Sequence, residues 1–562
     1  DPTESFALGD LSETRSRLQA VKVYPENLDL VVNYVYENPA PLVSGSLAVT
    51  DSRFVSISLQ HSLIAAPQEE FEPRYEDHRV GYFTQQITDM TGLDSTPWRD
   101  PIWRWKLVKK NPGEALSEPL QPIVFWLENT TPEDFREVVR DAVLSWNPAF
   151  EAAGFKNAIE VKVQPDDAEW EAADLRYNVL RWTSSSESPW GGYGPARADP
   201  RSGQILGADI MLEFGWIGRY LARDRLFSDT MPRALDKQAV DRSRRCVAGA
   251  HKQSQLQLGR MLLNVVPGSA LESDLVRQSL YDLVTHEVGH TLGLNHNFRA
   301  SQMLSPEQLA SPEVTRERGV SGSVMDYPAI NFAAPGAAQP LYFSQVPGPY
   351  DHWAIEFGYS EALPDPAAEQ ARLDTILARS TEPALAFGED SAAMYRSESG
   401  IDPRVLPFDL SNDSLAYAAG RLALHHHISA GLLQRFEQQG GTWQDLYNGY
   451  LALTDDRAMQ FVIASRWIGG LYVDHSVQGQ PGADTPLRPV ELARQQQAMA
   501  MLTEQLFSPG AWNVDQSIYR HLQRQRRAYN LWAQPQDPKL HERALDGQRR
   551  VLDHLLHPVV MA

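Results

Sequence analysis

The segment Thr285-His286-Glu287-Val288-Gly289-His290-Thr291-Leu292-Gly293-Leu294-Asn295-His296 constrains this chain more than any other. Just upstream, Leu275, Leu280, Leu283, Val284 and Val288 make a helical apolar stripe, so the His-Glu-x-x-His core is expected on a helix. Two histidines four apart on a helix share one face, where both imidazoles can reach one ion. Glu287 follows the first of them and leans aside, placed to touch a metal-held water in preference to the metal. Gly293 can take a positive φ that other residues resist, so the chain can turn sharply off the helix and bring His296 round as a third ligand. Three protein ligands leave one tetrahedral position open, which is the pattern of a catalytic zinc site and not of a structural one. A lone histidine on an apolar face is commonly a hydrogen-bonded core residue, and a bare His-Glu-x-x-His recurs by chance. The longer pattern, with glycine where a turn is needed, is far more specific. It predicts one catalytic Zn²⁺ held by His286, His290 and His296, with Glu287 as general base for a zinc-activated water attacking a peptide bond.

A second element lies downstream, in Ser323-Val324-Met325-Asp326-Tyr327-Pro328. With the zinc motif, this segment resembles the Met-turn of the metzincins, a methionine-bearing loop that forms an apolar floor beneath the metal. By that resemblance Met325 and Gly293 support the site. Tyr327 matches the position where astacin-like and serralysin-like metzincins carry a tyrosine near the metal. The resemblance therefore implies a catalytic part for Tyr327, in oxyanion stabilisation or as a displaceable ligand; the plainer alternative is a tyrosine that closes the turn. Arg79-Val80-Gly81-Tyr82-Phe83, Pro122-Ile123-Val124-Phe125, Phe150-Glu151-Ala152-Ala153-Gly154-Phe155, Ala198-Asp199-Pro200-Arg201-Ser202-Gly203 and His296-Asn297-Phe298-Arg299 narrow the likeness. They are similar to segments of a family of large bacterial zinc-dependent metalloproteases. That family places a metzincin-type catalytic domain between an extra N-terminal domain and a helical C-terminal region, and it implies export to the periplasm or beyond. The metzincin pattern also implies that some part of Tyr193–Leu212 is the strand edge on which an extended peptide lies, the plainer alternative being an internal strand.

The wider chain is read as an α/β (α+β) metzincin-like catalytic domain over 118–362, after a β-rich domain over 1–117 and before a helical domain over 363–562. Residues 1–20 are polar and read as a mobile or loosely docked lead-in. Beyond them the period is two: Leu28, Leu30, Val32, Tyr34 and Tyr36 share one strand face, and Val55, Ile57 and Leu59 repeat the pattern. Ile123–Leu127, Ile159–Val163, Tyr177–Trp182 and Ile205–Leu212 read as further strands. Thr131-Pro132-Glu133-Asp134 signals a helix start with a hydroxyl cap. Phe135, Val138, Val139, Ala142, Val143 and Trp146 give that helix an amphipathic face, and Pro148 should kink or end it. An insertion over about 213–273 is expected to add helices beside the cleft; it holds the one cysteine, Cys246, which reads as a small buried hydrophobe. His425-His426-His427 cannot converge on one ion, because consecutive helical residues fan out ~100° apart.

Composition removes other classes. Against 51 Lys and Arg stand 72 Asp and Glu, a formal charge of −21, so no basic face for nucleic acid is expected. No stretch approaches the ~20 apolar residues of a membrane span. A single cysteine allows no intrachain disulfide. The start at Asp1, without an initiator methionine or a charged and apolar leader, reads as a processed product. The expected partner is a protein or peptide substrate; calcium binding and oligomeric state stay open. Two rival functions remain: a zinc hydrolase of a non-peptide amide, and a non-catalytic binding protein that kept its metal pocket.

Overall fold

The computed structural model describes residues 8–41, 49, 51–68, 71–93, 95–183, 192–213, 259, 270–393, 400–437, 440–525 and 537–561. It is a mixed α/β chain with a β-rich N-terminal region and a helical C-terminal region.

The N-terminal sheet contains β1 (Asp10–Leu11), β2 (Arg17–Val23), β3 (Asn27–Glu37) and β4 (Phe54–Ile64), with β3 paired antiparallel to each of the others. The two runs read with period two lie side by side: Tyr36 pairs with Val55, Tyr34 with Ile57 and Val32 with Leu59. Of the expected mobile or loosely docked lead-in, the described residues from 8 on hold β1 and the start of β2, both paired to β3 and so not mobile. Almost every residue of β2 is exposed, and a bulge between Leu18 and Ala20 breaks the phase of its apolar Leu18, Val21 and Val23; main-chain pairing to β3 holds it. The sheet is tied to the rest of the chain by Asn27, whose Nδ2 donates to the Ala173 carbonyl (2.9 Å) while its Oδ1 accepts from the Leu175 N–H (3.1 Å).

A second sheet has the order β6-β5-β7-β11-β8, where β5 is Ile123–Leu127, β6 Ile159–Val163, β7 Asn178–Thr183, β8 Gly192–Tyr193 and β11 Ile210–Glu213. Its first four strands run parallel; β8 closes the edge antiparallel to β11. Between β8 and β11 the chain folds into a hairpin, β9 (Ala196–Ala198) with β10 (Ile205–Ala208). The single extended run expected over Ile205–Leu212 is therefore two strands, parted at Asp209.

Helix α1 (Glu133–Leu144) buries Val138, Val139, Ala142 and Val143, the predicted face. Its start differs from expectation: Pro132 occupies the cap position and no side chain caps the helix. Glu133 and Asp134 instead set negative charge against the positive end of the helix dipole. The helix stops before Pro148, which sits in the first turn of α2 (Asn147–Ala152), as its missing N–H allows. The long helix α3 (Ala270–Thr291) carries the motif and packs against α1, β8 and β11. Leu275, Leu280, Leu283, Val284 and Val288 are all buried in the main core with Phe125, Trp146 and Phe150.

Beyond α4 (Pro349–Tyr359) the described residues are mainly helical, with α5 (Ser414–Ala430) against α6 (Gln444–Arg466) at the centre. Buried Asp456 on α6 accepts from Arg421 Nε (2.9 Å) and pairs with His425 Nε2 (2.6 Å), while Arg421 Nη1 also donates to the Ile330 carbonyl (2.9 Å) just past the Met-turn. His426 and His427 point outward, so the three consecutive histidines do not converge. Cys246 and nearly all of the insertion, where extra helices were expected, lie outside the described residues.

Candidate active site

His286 and His290 stand one turn apart on α3, and the chain returns His296 to the same place. One ligand nitrogen from each lies within 4.8 Å of the others, and all three side chains are buried. Gly293 makes the return possible: its φ is +95°, and a Cβ there would sit 1.9 Å from the Trp103 carbonyl oxygen. The turn is clamped from the N-terminal region. Phe83 N–H donates to Gly293 O (2.7 Å), Trp103 N–H donates to Phe83 O (2.7 Å), and the Trp105 indole donates to Thr291 O (2.8 Å).

Each imidazole is oriented through Nδ1. His286 Nδ1–H donates to Val324 O (2.7 Å) and His290 Nδ1–H to Leu294 O (2.9 Å). A carbonyl can only accept, so these rings carry their proton on Nδ1 and present the Nε2 lone pair to an ion. His296 Nδ1–H donates to the Asp390 carboxylate (2.7 Å). Burial, then the neighbouring His296, holds His290 neutral, pushed down to about 3. Neutral imidazole is the form that binds metal. Three buried nitrogen donors with fixed tautomers fit Zn²⁺ well.

Glu287 is fully buried, and its carboxylate lies against Gly192 of the edge strand. Met325 is buried below α3, where Gly289 gives it room: a Cβ at 289 would meet the Met325 sulfur at 2.2 Å. The Met-turn is pinned by Asp351 at the start of α4, which accepts from Ser323 Oγ (2.5 Å), Val324 N–H (2.9 Å) and Gly348 N–H (2.7 Å). Burial raises that carboxyl to about 7. Because Val324 O in turn receives His286, Asp351 steadies the first histidine through the backbone of a single residue. Tyr327 brings its hydroxyl within 2.7 Å of His296 Nε2.

Aromatic rings wall the cluster. Phe83 lies 5.5 Å from the His290 ring, Phe298 stacks on His296 at 5.1 Å, and Phe408 stacks on Tyr327 at 6.1 Å. Asp390 and Phe408 were missed by sequence reasoning, and nothing local to them signals the site, whereas Asp351 lies in Gly348–Glu356, a segment that resembles the helix following and supporting the Met-turn. Phe83 and Phe298 fell inside segments quoted for the family likeness, which was the one available sign.

A family model described as Met-zincin matches residues 268–562, and a model of a domain of unknown function matches residues 1–110. No curated protein matches the chain, and no solved structure does. No helix among the described residues is long and apolar enough to cross a membrane.

Proposed function

Because this chain belongs to the Met-zincin family, and its three-histidine cluster points to zinc, so that it is a zinc metallopeptidase in general terms, we propose that it cleaves internal peptide bonds of proteins with Glu287 as general base. The observation that carries the reading is that Glu287, next to His286 of the histidine cluster on α3, lays its buried carboxylate against Gly192 of β8. Zinc held by His286, His290 and His296 supplies Lewis acidity, lowering the pKa of a water from about 15.7 to roughly 7 and polarising a carbonyl. Glu287 takes the proton of the attacking water and passes it to the leaving amine. Its buried setting keeps bulk water from that transfer.

Strand β8 is the proposed substrate edge. Among the described residues no strand pairs with its outer side, and it crosses α3 at Glu287. An extended peptide adds there by main-chain hydrogen bonds. Recognition of that kind needs no free terminus, which favours endopeptidase action. The Tyr327 hydroxyl, beside His296 Nε2, is the proposed donor to the oxyanion or a displaceable ligand. The family likeness favours an exported enzyme.

Glu287→Gln tests the reading. The variant should retain one zinc per chain and lose cleavage of an unfolded protein by about 10²–10⁴-fold. Undiminished cleavage would end the general-base role. A zinc-loaded wild type that cuts no member of a peptide library would end the peptidase reading itself.

A further inference from the structure

His296 is held differently from its two partners. They donate Nδ1–H to main-chain carbonyls of nearby turns, whereas His296 donates to a side chain 94 residues away, Asp390. We propose that Asp390 is a positioning residue for the metal, fixing the ring and tautomer of the third ligand so that zinc affinity depends on a side chain outside the zinc motif. This rests on the three-histidine zinc reading above.

His296 follows the turn and has no helical backbone to set its ring, unlike the two histidines on α3. The stretch carrying Asp390 is built against the ligand loop by several contacts. Phe298 N–H donates to Gly388 O (2.8 Å), Gly388 N–H to Asn297 Oδ1 (3.1 Å) and Asn297 Nδ2 to Ala386 O (3.0 Å). Phe387, between them, stacks on Tyr350 with the rings 9° from parallel. Asp390 is thus delivered to Nδ1 by a fixed scaffold. With Nδ1–H given to the carboxylate, Nε2 is the acceptor, and the Tyr327 hydroxyl meets it at 2.7 Å. A carboxylate at Nδ1 also makes the opposite nitrogen a stronger ligand. The Asp390 side chain is 41% exposed and the imidazole 10%, so solvent screens the pair. Its effect belongs at the low end of the ~10–100-fold range for such outer partners.

The experiment is zinc competition against a chromophoric chelator, using the full chain as wild type, Asp390→Ala, Asp390→Asn and His296→Ala. Metal-free melting and the visible spectra of the Co²⁺-substituted forms are recorded alongside. Asp390→Ala should bind zinc about 10-fold more weakly, with shifted Co²⁺ bands and wild-type melting of the metal-free protein. Asp390→Asn should lose less, because its amide oxygen still accepts from Nδ1–H. Wild-type affinity in Asp390→Ala, alongside lost affinity in His296→Ala, would overturn the positioning role and leave the zinc site standing. Lowered melting of metal-free Asp390→Ala with unshifted Co²⁺ bands would overturn it too, in favour of a purely structural contact. A wild type that binds no zinc would overturn the underlying zinc reading instead.

Discussion

Replacing Gly293 by alanine separates two physical costs that coincide at the turn after the zinc helix. The first is conformational: a side chain at φ +95° costs roughly 1–2 kcal/mol. The second is steric. The new Cβ would lie 1.9 Å from the Trp103 carbonyl oxygen, where ordinary contact starts near 3.4 Å, so the two chains must part by about 1.5 Å. Overpacking of this kind typically costs about 1–3 kcal/mol, for a total of about 2–5 kcal/mol. Gly336 supplies the control. Its φ is +83°, but nothing lies within 4 Å of its Cβ position, so Gly336→Ala should carry the conformational cost alone. Thermal unfolding of the metal-free variants, side by side, should show Gly293→Ala melting below Gly336→Ala. Zinc titration should then show weakened affinity in Gly293→Ala only. The shift disturbs Leu294, whose carbonyl orients His290, and Phe83, which lies against that ring. Equal melting temperatures and wild-type zinc affinity would refute the claim that close packing of the N-terminal region onto this turn shapes the metal site.

Two further variants probe the same neighbourhood. Tyr327→Phe should lower kcat about 10²–10³-fold with little change in KM or zinc content, if its hydroxyl acts in the transition state; an unchanged kcat would leave the tyrosine only closing the turn. Burial raises the Asp326 carboxyl to about 8, against hydrogen bonds from Ser321 Oγ and the Tyr327 N–H. A folded-state pKa above the ordinary 3.8 means the native protein binds this proton more tightly than the unfolded chain. The stability it contributes is complete below about pH 4 and lost as pH rises through about 8. Asp326→Asn should therefore melt near wild type below about pH 4 and increasingly above it as pH rises to about 9; parallel melting curves across that range would rule the proton out.

What could be read directly from the sequence was what short-range spacing encodes. The i, i+4 histidines, the apolar stripe from Leu275 to Val288 and the alternation along Leu28–Tyr36 and Val55–Leu59 all follow from helical or strand period, whereas the register that pairs those two strands does not. β2 escaped because a bulge between Leu18 and Ala20 breaks the phase of its few apolar residues, Leu18, Val21 and Val23. The Thr131 cap failed because Pro132, one residue later, takes the cap position. Asp390 and Phe83 escaped for another reason. They reach the histidines only through the folded chain, and a contact across 94 residues leaves no trace in local composition.

The ring of residues around His290 and His296 draws on three distant stretches of chain, near Phe83, along α3 and its turn, and at Asp390. During synthesis, the earliest of these must wait for the last to leave the ribosome before the pocket can take its full shape. Long-range closure of this kind slows folding. It also means that a nascent protease of this design lacks this full set of contacts until the stretch around Asp390 has emerged.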